Sequence, residues 1–154
     1  MVKRKSILSN NDLMELKKRI HTLTPESAKK WGKMNSSQML RHCRKIIDIS
    51  CGDIILPKIH PLLKVIGIIT KYEMYIFGNG IPRSMPTFKE VVVTERCNFE
   101  KSKVELIEAL DRCVEKARCK QLLYEHALFG RMSSKRWGYM HYKHLNHHLK
   151  QFGV

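Results

Sequence analysis

The sequence predicts an all-α fold: a four-helix bundle with a long crossover loop ahead of the helices that close the chain, in one domain spanning 1–154. Three observations carry that expectation. Apolar residues recur at helical spacing through long segments. All but the segment opening on Pro61 begin on a side chain able to cap a helix N-terminus. Outside Glu90-Val-Val-Val-Thr94, almost nothing reads as strand. Hydrophobic residues are 43% of 154, enough to build a core and against disorder.

The elements follow in order. Ser9-Asn-Asn-Asp12 offers N-caps, and Leu13, Leu16 and Ile20 continue at helical spacing, which predicts a helix over 10–22. Thr24-Pro25-Glu26 is a cap or turn that ends or restarts it. Trp31-Gly-Lys-Met34 is a connector, and Asn35-Ser-Ser37 caps a helix over 36–51. Gln38, Met39, His42, Ile46 and Ile49 line one face of that helix, and Leu40, Cys43 and Ile47 form a second apolar stripe, so it belongs at the centre of a bundle. Pro61 fits the first turn of a helix over 61–77, with Leu63, Ile66, Ile69, Tyr72 or Glu73, and Ile76 in register; Gly78-Asn-Gly80 stops it.

The next twenty or so residues hold Pro82 and Pro86 and lack a helical period. They read as a surface crossover, with a functional lid as the alternative and Glu90–Thr94 as a short extended piece. Asn98 caps a helix over 99–118, lined by Val104, Leu106, Ile107, Leu110, Cys113 and Val114 and solvated on its charged side. Residues 122–131 are irregular, and Ser133-Ser134 caps the last helix, 134–151. Gly130-Arg-Met132-Ser-Ser loosely echoes Gly32-Lys-Met34-Asn-Ser, two similar entries to histidine-bearing helices.

The formal net charge is +15, which raises affinity for phosphates, nucleic acid or acidic surfaces. The basic residues are spread along the chain, with small clusters only at Lys3-Arg4-Lys5 and Lys17-Lys18-Arg19. Five cysteines without a C-x-x-C pair argue against a disulfide framework and make the reducing cytoplasm the expected compartment. No signal-peptide core is present, and the most apolar window, 54–69, carries Lys58, His60 and Lys64, so no membrane association is expected.

Four of eight histidines fall in the last helix. His144 and His148 are four residues apart and stack one turn apart on a helix, a spacing at which two imidazoles can bind one metal ion. Trp137, His141, His144, Leu145, His148 and Phe152 share a face that is apolar apart from its imidazoles. Locally hydrogen-bonded core histidines are the alternative, and for His42 taken alone that alternative is the stronger one.

The segment His144-Leu-Asn-His147-His148-Leu-Lys-Gln151 resembles the H-x-x-x-H-x-x-Q signature that closes the last helix of the DinB/YfiT-like metalloenzyme superfamily. Trp31-Gly-Lys-Met34, with Gln38-Met-Leu-Arg-His42-Cys43 after it, extends the likeness from Trp31 to Gly153. The resemblance implies a DinB-like bundle holding one divalent metal, zinc or nickel, on His42, His144 and His148, with an open position for water or substrate. It implies transferase or hydrolase chemistry in which the metal activates a thiol or water, on a small-molecule substrate it does not identify. His141, His126 and Gln38 stand as outer candidates. His141 is a fourth ligand, an outer partner of a ligand or a packed ring, the last two preferred; His126 is expected near the bundle mouth. His147 is expected to meet another helix or solvent, and Asp48 is a remote general-base candidate.

Two other readings stand beside this one. A nucleic-acid-binding module rests on charge and lacks a recognisable motif. A scaffold, such as a homodimeric interaction protein, would keep the histidines without catalysis.

Overall fold

Five α-helices form among the residues that the computed structural model describes, 4–83 and 86–154: α1 (Asn10–Thr22), α2 (Ser36–Cys51), α3 (Pro61–Phe77), α4 (Phe99–Arg118) and α5 (Ser134–Gln151). Lys3 of the N-terminal basic cluster lies outside the described residues. The start signals act as expected. Ser9, Asn98 and Ser133 accept from the backbone N–H three residues on, and Pro61 sits in the first turn of α3. Asn35 and Gln38 form a reciprocal capping box at α2. Gly32 and Gly130 both take left-handed φ angles, 82° and 62°, just ahead of α2 and α5, so the echo between their segments is a shared way of turning into a capped helix.

Among the described residues the fold is all-α apart from one small antiparallel hairpin, β1 (Glu125–His126) with β2 (Gly130–Arg131), in the segment expected to be irregular. Glu90–Thr94 is not an extended strand; Lys89–Val91 forms a 3-10 turn.

The main core is shared by α1, α2, α4 and α5, through residues such as Leu16, Ile20, Leu40, Ile47, Leu110 and Leu149. Burying each such side chain contributes about 1.5–3 kcal/mol. Cross-links give the helix directions. Tyr142 donates to Glu15 and Arg19 to Asn146, so α1 runs parallel to α5. Contacts of His42 with His144 and of Ser50 with His141 make α2 and α5 antiparallel. Arg44 with Glu105 and Asp48 with Arg112 make α2 and α4 parallel. Two parallel helices in sequence require a return path, and α3 with the segment after it provides one.

That role explains a departure from expectation. The α3 stripe Leu63, Ile66, Ile69, Tyr72 and Ile76 faces outward, each side chain at least 42% exposed, while Gly67, Lys71 and Met74 face the protein. Val104 of α4 is likewise exposed. All five cysteines are free, and no helix among the described residues is long and apolar enough to cross a membrane.

Asp48 is only 3% exposed and is held by Arg112 at 2.6 Å and Arg44 at 3.1 Å. Burial pushes its carboxyl pKa up and the two guanidinium groups oppose that. It joins α2 to α4 and is not a general base at the histidines.

Helix α3 touches the rest of the chain at Gly67, where an added Cβ would lie 2.4 Å from the Leu128 carbonyl oxygen. Gly67→Ala should therefore lower stability by about 1–3 kcal/mol in a denaturant titration. Gly80→Ala, where a Cβ meets nothing within 4 Å, should leave the midpoint unchanged.

Candidate metal centre

Helices α2 and α5 bring His42, His144 and His148 to one point. One ring nitrogen from each lies within 4.8 Å of the other two. His42 Nε2 and His144 Nε2 are 3.2 Å apart, against roughly 3.3 Å for two nitrogen ligands on a tetrahedral zinc. The three rings meet at edge or tilt angles with centroids 4.6–5.1 Å apart.

The proton positions follow from the partners. His42 Nδ1 lies 2.8 Å from the Val91 carbonyl, which can only accept, so Nδ1 carries the proton and Nε2 is bare. For His148 the logic takes one more step. Gln151 Nε2 donates to the Trp31 carbonyl at 2.7 Å, which turns Gln151 Oε1 toward His148 Nδ1, 2.8 Å away. His148 must then donate from Nδ1, again leaving Nε2 bare. Ligating histidines are commonly oriented in this way by a carbonyl on the far nitrogen. His144 is set differently: its Nε2 can donate to His42 Nε2 or, with its proton on Nδ1, offer a third lone pair.

All three imidazoles are held neutral. Burial is the first cause for each, taking His148 down to about 3, His144 well below its ordinary value and His42 lower than usual despite the Val91 bond. Neutral rings are the form a metal binds.

The connector 31–34 serves the site through its backbone. Lys30 N–H donates to the Gln151 carbonyl at 2.7 Å, and at Gly32 an added Cβ would sit 2.4 Å from Gln151 Nε2. Glycine is required there both by its φ of 82° and by that approach.

The outer candidates separate. Gln38 is not at the site: its side chain closes the α2 capping box and donates to the Thr94 and Glu95 carbonyls. His141 is buried, and its Nε2 lies 2.8 Å from Ser50 Oγ, whose own proton goes to the Ile47 carbonyl. It therefore donates to Ser50 and ties α5 to α2, beside the triad. His126 accepts at Nδ1 from the Leu128 and Phe129 amides and stacks on Phe129, which shapes the hairpin. His147 meets the connector, edge-on to Trp31 at 5.7 Å, in place of another helix.

Sequence reasoning missed the orienting groups. Gln151 stood inside the quoted motif without a role, and its spacing, three residues after His148, was the available signal. The Val91 and Trp31 carbonyls had none, because any residue supplies a carbonyl.

A cavity of about 270 Å³, partly open to solvent, adjoins His144, His147 and His148. Its walls are mainly apolar, and no Asp or Glu is among its lining residues.

The model of one family, described as "Protein of unknown function (DUF1569)", matches residues 2–153. No curated protein and no solved structure matches the chain.

Two predictions follow from the pinned rings. Gln151→Leu removes the acceptor that fixes His148 and should weaken zinc binding about 10- to 100-fold in a competition titration. The second concerns acid. Burial lowers His126 to about 4 and His141 to about 3, against an unfolded value of 6.5. Stability should be full above pH 6.5 and fall as pH drops, because the unfolded chain takes up these protons near 6.5 and the folded chain only near 4 at His126 and near 3 at His141. Each tenfold rise in proton concentration costs up to about 1.4 kcal/mol per ring. Urea midpoints taken downward from neutral pH should show this slope in metal-free protein, and His141→Gln should flatten it.

Proposed function

The chain belongs to the DUF1569 family, whose description states no function, and we propose from the site itself that it is a divalent-metal protein with His42, His144 and His148 as its ligands. The observation that carries this reading is the pair of acceptor contacts, Val91 to His42 and Gln151 to His148, that leave two bare Nε2 atoms converging beside His144. Core histidines without a ligand need one partner apiece and have no reason to aim their remaining lone pairs at each other. The donor set suits zinc or nickel.

We read α1, α2, α4 and α5 as a four-helix bundle, with the site between facing helices as bundle proteins place their metals. The likeness of the His144–Gln151 segment to the DinB/YfiT-like superfamily supports the same reading. A divalent ion on three neutral imidazoles supplies a Lewis acid that lowers the pKa of a coordinated water or thiol. The chain's own part is to keep the rings neutral, to exclude water with the apolar cavity, and to admit a small-molecule substrate. The nearest imidazole outside the triad is His147, 5.1 Å from His148 between ring centroids, and it is our candidate for holding a proton in the absence of a lining carboxylate. The activity this supports is that of a metal-dependent transferase or hydrolase acting through thiol or water.

Untagged protein reconstituted with zinc or nickel should carry about one ion per chain by elemental analysis. His144→Ala and His148→Ala should each fall below roughly a tenth of an ion after the same dialysis, with helicity by circular dichroism retained. Wild-type protein at that low level would overturn the proposal. Full occupancy without turnover on thiol–electrophile and ester panels would replace the enzyme with a metal-holding scaffold.

A further inference from the structure

The cavity beside the triad has a composition that selects its occupant. Its apolar walls include Ile46 and Ile49 of α2, Phe88 ahead of the 3-10 turn, Leu128 and Phe129 of the hairpin, and Met140 of α5. Two histidines in these walls each commit one ring nitrogen within the protein. His141 Nε2 bonds to Ser50, and His126 Nδ1 takes two amides. A charged or sugar-like body would therefore find few partners to replace its hydration, whereas an apolar body needs none.

The end beside the histidines is different. Lys33 is among the lining residues, the Arg83 guanidinium lies 4.2 Å over the Trp31 ring, and Trp31 packs on His147. No Asp or Glu is among the described lining residues. Size sets a further bound. An apolar cavity of about 150 Å³ takes up benzene, so 270 Å³ accommodates an alkyl chain or a bicyclic group rather than a single small ring.

We infer that the cavity binds a small molecule with an alkyl or aryl body and a single anionic head, the body among Ile49, Leu128, Phe129 and Met140 and the head at the His144/His148 end. The inference rests on the proposed metal centre only for what holds the head; the apolar body is selected by the walls alone.

Straight-chain carboxylates of about four to about twelve carbons, titrated by calorimetry into metal-free and zinc-loaded protein, test it. Affinity should rise up to about fourfold per added methylene in both forms, then level off once the cavity is filled. Zinc loading should tighten every length by a common factor. Met140→Trp and Leu128→Trp fill the cavity from opposite walls. Each should weaken the longer chains at least about tenfold while leaving zinc stoichiometry and helicity unchanged. A flat series, or long-chain affinity unchanged in a folded variant of either kind, would overturn the inference, and two variants guard against one failing to fold. A length-dependent series in protein that takes up no zinc would uphold the cavity and sink the metal centre. Stoichiometric zinc with a flat series would do the reverse.

Discussion

A neutral imidazole has one proton to place on two nitrogens, and in a buried site the choice decides which nitrogen can accept a cation. Here two backbone carbonyls make that choice. Val91 takes the Nδ1 proton of His42 directly, and Trp31 takes the amide of Gln151, whose oxygen then takes the Nδ1 proton of His148. Every other feature of the site is arranged around holding those two carbonyls still: the 3-10 turn around Val91, the glycine that lets Gln151 approach Trp31, and the Lys30–Gln151 backbone bond.

Burial works with this arrangement. An imidazolium inside apolar walls loses hydration that nothing on the wall returns, so His42, His144 and His148 stay neutral and retain lone pairs. The same desolvation acts on His126 and His141, but one nitrogen of each is engaged, with amides or a serine, and serves the hairpin or the α2–α5 contact. One helix thus carries histidines of two kinds, distinguished by partners and not by exposure: His141 and His148 are both under 9% exposed.

The course of the chain explains why the site lies where it does. Parallel α2 and α4 need a return, and α3 supplies it with an outward apolar face. The segment after α3 then descends along α2 and delivers Val91 to His42. The crossover, expected as a surface connection, thus packs its Val91 carbonyl on His42.

Helix boundaries, caps and the facing of α1, α2, α5 and, Val104 apart, α4 were readable from residue order, because 3.6-residue periodicity and N-cap chemistry are local properties. So was the inward aspect of His141 and His148, since a face is set by spacing along one helix. Tertiary structure decided what spacing cannot encode. It set the antiparallel register that joins His42 to His144 across 102 residues, the outward turn of the α3 stripe, and the diversion of Gln38 into a capping box. It also chose the two carbonyls that set the ring protons, because every residue carries a carbonyl and only the fold brings Val91 and Trp31 to the imidazoles and their amide.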